Sequence, residues 1–332
     1  MRPAIAVIYN QPGHGRYSAM GEDRAELSVL DAAQAVEKAL VRRGCPAVRV
    51  PLSPPLGGVL DQLKAIRADL VFNLFEGFDG SPETEAAVAS LLSDLGFRYT
   101  GSPGPALALA LDKYRTQQTL ERAHIPTPAC QVLGPNGIHS FCLKFPCIVK
   151  PCREDASHGL SEESVVAGFP ELEERVKRIS RLFGDRALIE EYVDGRELNV
   201  TVIGREEPVA LPLSEIVYTL PEGMPRILTF AAKWVPTSLY FKNTKSVCPA
   251  EIESELHTRI VNIAVTAFKL LGCSGYARVD FRLDADKGPL VIDVNPNPDI
   301  SPDSGAALQA GAAGIEYEEF VERIALQALG QA

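Results

Sequence analysis

Short apolar runs and longer amphipathic segments alternate over the first hundred residues. The runs "AIAVIY", "PAVRVPL" and "DLVFNLFEG" have the length of buried strands, and the helical patterns between and after them end at positions such as Gly44 and Gly96. Ser81 is the predicted N-cap of the last of these helices. Because strands that alternate with helices form a parallel sheet, we predict a doubly wound α/β domain over residues 1–102. Such sheets bind ligands at the carboxyl ends of their strands, here "YNQPGHG" and "NLFEG".

The pattern changes near residue 102, where glycine and proline cluster in "TGSPGPALALALDKYRTQQTLERAHIPTP". This punctuation surrounds a helix that Lys113 opens. After it we predict the strand "PCIVKP", the polar loop "CREDASHGLS", a helix near 170–183 and the strand "ALIEEYV". These elements define a predicted central lobe at 103–186.

A third predicted domain covers residues 187–332. It starts with the strands "ELNVTVIG" and "EPVALPLSEIV", continues through an irregular stretch at 219–249, and then forms the helix "EIESELHTRIVNIAVTAFKLLG". Two further strands, "GYARVDFRLD" and "PLVIDVNPNPDIS", face each other across the turn "DADKG" as an antiparallel hairpin. A helical tail ends the chain.

Composition and charge narrow the class of protein. The net charge of −10 argues against a nucleic-acid partner, which requires basic surfaces. The 7 cysteines include no C-x-x-C pair, so neither a zinc site nor a disulfide framework is expected. The N-terminus lacks the pattern of a signal peptide, and no apolar run has membrane-spanning length. We therefore expect a soluble, cytoplasmic protein without a membrane partner.

Acids and an amide lie on the two strands of the predicted hairpin. Asp293 and Asn295 share one face of their strand, as do Arg278 and Asp280, because side chains alternate across a strand. If the strands pair, Asp280, Asp293 and Asn295 converge. Hard oxygen ligands of this kind favour Mg²⁺ (or Mn²⁺) over zinc, and Mg²⁺ commonly binds together with nucleotide phosphates. The alternative is a set of surface acids on an edge strand.

Basic residues suggest where such phosphates would bind. Lys113 opens a helix, Lys150 ends an apolar strand, and Ser157 and Gly159 lie in the polar loop that follows. Ammonium groups and backbone N–H groups together bind phosphate. For a single lysine at the end of a strand, the alternative is a stem that extends to water.

Two glutamates bracket the segment "VDG". Glu190 precedes it and Glu197 follows it. Carboxylates at these positions could accept hydrogen bonds from ribose hydroxyls or from an adenine amino group. The alternative is the solvated rim of a hairpin.

Common catalytic motifs are missing from the sequence. It contains no Walker loop, no kinase catalytic loop, no complete dinucleotide-binding glycine fingerprint and no G-x-S-x-G elbow. The histidines lack the spacing of metal ligands; they are His14, His124, His139, His158 and His257.

Taken in order, the segments from about Gly101 to Gly305 resemble the D-alanine–D-alanine ligase family of ATP-grasp enzymes. "GSPGPALALALDKYRTQQTL", "FPCIVKPCREDASHGL", "ALIEEYVDGRELNVTVIG", "AAKWVP", "GYARVDFR" and "VIDVNPNPDIS" carry the resemblance. It implies three α/β domains, with ATP between the central and C-terminal ones. The implied roles are phosphate-binding lysines at Lys113 and Lys150, adenine and ribose contacts at Glu190 and Glu197, magnesium ligands at Asp280, Asp293 and Asn295, and a catalytic arginine at Arg278.

The resemblance also implies a reaction. ATP would phosphorylate a substrate carboxylate, and an amine would attack the resulting acyl phosphate, with Arg278 stabilising the charge that develops. Lys233 and Ser304 fall where the family binds the carboxylate of the second amino acid, so an amino acid is the expected nucleophile. Members of the family are commonly dimers, which makes a homodimer a further expectation.

Several positions depart from the family's pattern. The loop serines "GSS" are replaced by Asp155, Ala156 and Ser157, the tyrosine of the flexible loop by Trp234, and a histidine by Glu76. Asp293 replaces a longer glutamate. The residue that reads the first substrate's ammonium has no clear counterpart; the candidates are Glu22, Asp23, Glu26 and Glu76.

We therefore expect a carboxylate–amine ligase with an altered first substrate. The alternatives are an authentic D-alanine–D-alanine ligase and an ATP-binding protein without chemistry. A ligase that forms thioesters or acts on a peptide tail is also open.

Overall fold

The structure is a computed structural model that describes residues 2–13, 15–78, 80–184 and 186–330. His14, in the first predicted ligand-binding rim, lies outside the described residues. Within the described part of the chain, no helix has the length and apolar character needed to cross a membrane.

The N-terminal sheet is parallel with strand order β2-β1-β3, which confirms the predicted strand pairing. Strand β1 is buried throughout, because helices cover both faces of the sheet. The elements are β1 (Ile5–Asn10), α1 (Arg16–Met20), α2 (Arg24–Arg42), β2 (Ala47–Leu52), α3 (Val59–Lys64), β3 (Leu70–Leu74) and α4 (Glu83–Asp94).

The predicted N-cap of helix α4 is wrong. Pro82, not Ser81, precedes the first helical residue, and no side-chain cap is present. The Thr84 hydroxyl donates to the Ser81 carbonyl at 2.7 Å and accepts from the Phe78 N–H at 2.8 Å. The turn before the helix is therefore held by a threonine inside the first turn.

The central lobe contains two helices followed by an antiparallel sheet of order β4-β7-β5-β6. Helix α6 begins at Lys113, as predicted, because the Asp112 carboxylate caps it by accepting from the Arg115 N–H at 3.1 Å. The elements are α5 (Gly104–Leu111), α6 (Lys113–Arg122), β4 (Cys130–Leu133), β5 (Cys147–Pro151), β6 (Val165–Val166), α7 (Phe169–Phe183) and β7 (Ala187–Glu191).

The C-terminal sheet has the order β11-β10-β8-β12-β13, with β9 paired to β8. Strands β12 and β13 form the predicted antiparallel hairpin. The elements are β8 (Glu197–Gly204), β9 (Val209–Ala210), β10 (Ser214–Tyr218), α8 (Phe230–Trp234), α9 (Leu239–Lys242), β11 (Thr244–Val247), α10 (Ser254–Leu270), β12 (Gly275–Asp284), β13 (Gly288–Asn295), α11 (Gly305–Ala312) and α12 (Tyr317–Ala328).

One prediction and one alternative for this region are wrong. The stretch 219–249 is not irregular, since it holds α8, α9 and β11; the hydroxyls of Thr229 and Ser238 cap two helices too short to show a periodic pattern. The "VDG" segment is not a hairpin turn either, because β7 belongs to the central sheet and β8 to the C-terminal sheet. Glu190 and Glu197 are 2% and 7% exposed, so neither lies on a solvated rim.

The C-terminal helix ties the two ends of the chain together. Residues of α12, including the fully buried Phe320, share a hydrophobic core with α2 and β1. The Glu322 carboxylate accepts from Arg2 and Arg43 at 2.5 and 2.6 Å. The N-terminal sheet is thereby fixed against the C-terminal half, and its strand ends face the same space as the hairpin.

Candidate active site

A cavity of about 910 Å³ lies where the three sheets meet. The N-terminal sheet contributes Asn10 and Glu76 to its lining, the central lobe contributes Lys113 and Lys150, and the hairpin contributes Arg278. Every residue that the sequence singled out as a binding, catalytic or metal-ligating candidate lines this cavity, except Glu22, Asp23 and Gly159.

The hairpin brings its polar residues together. Asp280 pairs in register with Asp293, and Arg278 pairs with Asn295, with a register irregularity directly after Asp280. The Arg278 guanidinium donates to both oxygens of Asp280 at 2.7 and 2.8 Å. Burial opposes ionisation of Asp293, but the charges of Lys113, Lys150 and Arg278 hold its pKa below the ordinary value.

The two lysines of the central lobe point into this cluster. Lys113 Nζ lies 3.1 Å from Asp293 Oδ2 and 3.5 Å from Asp155 Oδ1. Lys150 Nζ lies 2.6 Å from Glu190 Oε2. Since Lys150 is only 8% exposed, its stem does not extend to bulk water. Both ammonium groups are therefore available at the cavity.

The polar loop after β5 presents unbonded backbone donors. Ala156 and Ser157 have φ values of +50° and +63°, a conformation that only a few per cent of non-glycine residues adopt. Their N–H groups donate to no acceptor among the described residues. Successive N–H groups in such a turn form a concave site for anions. The Ser157 hydroxyl donates to the Leu228 carbonyl at 3.0 Å, which links the loop to the segment before α8.

The glutamates on either side of the inter-sheet connection are held in place by neighbours. Glu190 accepts from Gln117 as well as from Lys150. Glu197 Oε2 accepts from Arg282 and from the Tyr218 hydroxyl, both at 2.6 Å. Buried carboxylates with fixed partners present their remaining acceptor capacity in a defined direction.

Lys233, Trp234 and Ser304 line the cavity near Arg278. Burial, with the charge of Arg278, lowers the pKa of Lys233 to about 8, and Lys233 has no ion pair within the described chain. The Trp234 indole N–H is buried without a hydrogen-bond partner in the described structure. Ser304 caps α11 by accepting from the Ala307 N–H at 3.2 Å, and its own hydroxyl proton has no acceptor there.

The candidate readers of the first substrate divide into two groups. Glu22 Oε2 lies 2.8 Å from His158 Nδ1 and accepts from the Gly159 N–H at 3.2 Å, so it binds the phosphate-side loop. Asp23 precedes α2 and does not line the cavity. Glu26 and Glu76 do line it.

Sequence reasoning missed a cluster that joins α1 to the loop. The Tyr17 hydroxyl donates to Glu154 Oε2 at 2.6 Å, Arg16 pairs with the same carboxylate, and the Tyr17 ring stacks on His158 at 3.8 Å. Each contact joins residues far apart in the chain, so no local pattern could reveal it. Glu154 and His158 stand in the polar loop that the sequence did single out.

The donor set of the hairpin fits a hard divalent cation. Asp280, Asp293 and Asn295 offer only oxygen ligands, and their carboxylates already attract the cationic groups of Lys113 and Arg278. Among the described residues, no group of three or more histidine, cysteine, aspartate or glutamate side chains has metal-binding geometry, and the hairpin offers two acids and one amide.

Comparison with known proteins identifies the relatives. The family model described as D-ala D-ala ligase C-terminus matches residues 135–326. The D-alanine–D-alanine ligase of Carboxydothermus hydrogenoformans is 30% identical over 310 residues, which cover 90% of this chain and 93% of the relative. An uncharacterized protein of Sinorhizobium fredii, y4sG, is 35% identical over 255 residues, 77% of this chain and 73% of the relative.

Solved structures have the same fold. The D-alanine–D-alanine ligase of Bacillus anthracis in complex with ATP superposes with a TM-score of 0.74 at 22% identity, covering 99% of this chain and 98% of that chain. The VanG D-Ala:D-Ser ligase of Enterococcus faecalis has a TM-score of 0.75 at 20% identity, covering 100% and 99%. The chain therefore has the ATP-grasp fold.

The chain belongs to the D-alanine–D-alanine ligase family. It is an ATP-dependent ligase that forms C–N bonds.

Proposed function

We propose that this enzyme joins a carboxylic acid to the amino group of an amino acid through an acyl phosphate. The observation that carries the proposal is the meeting, in one cavity, of Lys113 and Lys150 with Arg278 and the oxygen ligands of the hairpin. The cavity brings phosphate-binding cations next to the residues that would serve a reacting carbonyl.

ATP would bind between the central lobe, whose sheet includes β7 (Ala187–Glu191), and the C-terminal domain that follows it. Its phosphates would contact Lys113, Lys150 and the N–H groups of Ala156 and Ser157. All four residues line the cavity, and the two N–H groups donate to no acceptor among the described residues. Glu190 would accept from adenine and Glu197 from ribose, a division that the family resemblance implies.

Asp280, Asp293 and Asn295 would hold Mg²⁺ or Mn²⁺. When bound, the ion neutralises phosphate charge that Lys113 and Lys150 alone cannot balance. Lys113 contacts Asp293 and Arg278 contacts Asp280, which holds the two carboxylates in place on the hairpin.

The protein's role in the reaction is positioning and electrostatic stabilisation. A substrate carboxylate oxygen attacks the γ-phosphorus, the bond to the ADP oxygen breaks, and an acyl phosphate forms. The amine nitrogen then attacks the carbonyl carbon, loses a proton and displaces inorganic phosphate. Arg278 donates hydrogen bonds to the oxygen that becomes negative, and Lys233 with the Ser304 hydroxyl binds the carboxylate of the amine substrate.

An authentic D-alanine–D-alanine ligase is the second candidate. The relatives' names favour it. The replacements at Ala156, Trp234 and Glu76 favour a different first substrate, because a pocket that loses a hydroxyl and gains an indole and an acid selects a different ligand.

Phosphate release from ATP tests both candidates. Purified protein with Mg·ATP is assayed against pairs of D- and L-amino acids and dipeptides, with D-alanine alone as one arm. We expect release that requires a carboxylic acid and an amine together, and a loss of at least about 100-fold in Lys113→Met. Lys144→Met removes the same charge from an exposed position of the central lobe and should keep full activity. ATP binding without release in every arm would refute the ligase proposal.

A further inference from the structure

One side of the cavity is rich in acids that no cation balances. Glu76 follows β3, Glu85 lies in the first turn of α4, and Asp299 follows β13; all three line the cavity. We call these three residues the acidic wall. None of them forms an ion pair with a described residue. The charge of Asp299 raises the pKa of Glu76 after the larger effect of burial, so these acids lie close enough to repel each other.

The opposite side of the cavity is balanced. Lys113 pairs with Asp293, Lys150 with Glu190, and Arg278 with Asp280. Lys233 lies on this balanced side, where burial and the charge of Arg278 lower its pKa and the charge of Asp280 raises it. Apart from Lys233, the cations of this side are therefore already paired with acids, and none of them forms an ion pair with the acidic wall.

Glu85 of the acidic wall is held in place by a neighbouring amide. The Asn297 amide donates to Glu85 Oε1 at 2.8 Å and accepts from the Tyr276 hydroxyl at 2.9 Å. Tyr276 is fully buried. One carboxylate oxygen of Glu85 is thus fixed from behind. Carboxylates that are held in this way are suited to bind a cation.

A buried donor beside the wall also lacks a partner. Asn10 is 3% exposed and lines the cavity at the end of β1. Its Oδ1 accepts from the Glu76 N–H at 3.2 Å, which orients the amide, and its Nδ2 donates to no acceptor among the described residues. The Asn10 amide therefore offers a hydrogen-bond donor at the cavity next to Glu76, where a ligand oxygen can accept from it, independently of the acids.

We propose that the substrate bound against the acidic wall is a basic amino acid, whose side-chain ammonium or guanidinium is bound by Glu76 while the Asn10 amide donates to one of its oxygens. A neutral amino acid is a zwitterion and adds no net charge, so it would leave the excess of carboxylates in place. A basic amino acid adds one positive charge. The inference rests on the proposed function, since it assumes that this part of the cavity receives a substrate of the ligase.

Lysine and norleucine form a matched pair for the test, because they differ mainly in the terminal ammonium. Their binding to the full-length protein is measured by calorimetry with Mg²⁺ and a non-hydrolysable ATP analogue, for both enantiomers, with ornithine and arginine as further cationic probes. A hydrogen bond to a charged group contributes about 1.5–3 kcal/mol, so we expect at least one cationic probe to bind about tenfold or more tightly than norleucine. Equal affinities, or tighter binding of norleucine, would overturn the inference without any variant.

Two variants assign the preference to the wall. Glu76→Gln should reduce it at least fivefold while leaving the affinity for the ATP analogue unchanged. Glu83→Gln removes an exposed acid that does not line the cavity and should change neither. If Glu76→Gln keeps the preference for the cationic probe over norleucine, Glu76 does not bind the side-chain cation. Phosphate release in the same samples separates the two proposals, because a ligase that prefers neutral substrates contradicts only this inference, and cation binding without phosphate release contradicts only the ligase.

Discussion

Lys113 Nζ lies 3.1 Å from Asp293 Oδ2, although the two residues are 180 positions apart in the chain. The contact joins the first helical residue of α6 to the second strand of the hairpin. Asp293 helps keep Lys113 charged despite burial, which alone would lower the pKa of its ammonium. A single ion pair therefore connects the phosphate-binding side of the cavity to the metal-binding side.

Removing that pair should affect stability as well as activity. Lys113→Met leaves Asp293 beside Lys150 and Arg278 but without its nearest cation. We expect the free energy of unfolding to fall by about 1–2 kcal/mol. This is less than the loss on breaking a fully buried ion pair, because the Asp293 side chain is 35% exposed. Urea denaturation measures it. The double variant Lys113→Met/Asp293→Asn should recover part of the loss; a double variant less stable than the sum of the singles would contradict the pairing.

Divalent cations should bind through the hairpin. In the wild type we expect Mg·ADP to raise the melting temperature more than ADP with a chelator, because ligand that binds only the folded state stabilises it. Asp280→Asn and Asp293→Asn should each reduce that difference by more than half. Asp284→Asn changes a half-buried acid at the far end of β12. This residue lies outside the cavity lining, so the variant serves as the control. An unchanged Mg²⁺ effect in both site variants would place the metal elsewhere.

How far the sequence could predict this site depends on the range of the contacts. Alternation along β12 and β13 placed Arg278, Asp280, Asp293 and Asn295 on the hairpin correctly, because pairing across a short turn is local. The start of α6 at Lys113 was also predicted correctly, and the structure shows that Asp112 caps it. The bond from Tyr17 to Glu154 and the amide of Asn10 beside Glu76 were not, since they depend on how separate sheets pack.

Short elements also escaped prediction. Helices α8 and α9 are 5 and 4 residues long, less than the two turns that a periodic pattern needs. The strand β7 and the strand β8 are each apolar and close in sequence, which suggested a hairpin. Only the partners of each strand, β4 and β5 for β7 and β10 and β12 for β8, show that the chain crosses between sheets there.

The contact between α1 and the polar loop after β5 should stabilise the folded protein. Tyr17→Phe removes the hydroxyl that donates to Glu154 at 2.6 Å but keeps the ring that stacks on His158. A hydrogen bond to a buried carboxylate contributes about 1–3 kcal/mol, and we expect a loss of that size in urea denaturation. Tyr114→Phe, at a tyrosine with no hydrogen bond from its hydroxyl to a described residue, is the control and should change stability little. Equal effects of the two variants would contradict the role of the Tyr17 hydroxyl.

Binding of the amine substrate should depend on pH through Lys233. Burial lowers the pKa of Lys233 to about 8, so its ammonium is charged below that pH and neutral above it. A neutral amine cannot pair with a substrate carboxylate. We expect the KM of the amine substrate to rise about 25-fold between pH 7.5 and 9.5, in inverse proportion to the charged fraction of Lys233. In Lys233→Met the KM should be high at every pH, and a pH profile identical to that of the wild type would exclude Lys233 as the source.

The stability of the free protein should fall as Glu76 ionises. The protein around the cavity removes part of the water from Glu76, whose side chain stays exposed to the cavity, and this raises its pKa to about 8 from the ordinary 4.5; the charges of Asp299 and Asp155 add to the effect. Between those two values the folded state binds more protons than the unfolded state, so stability decreases as the pH rises. Glu76→Gln removes this loss, and we expect it to be more stable than the wild type at pH 8.5, by under about 1 kcal/mol because water in the cavity screens the charges. Near pH 4.5 the two proteins should be equally stable in urea denaturation. A difference independent of pH would mean that repulsion among the acids is not its cause.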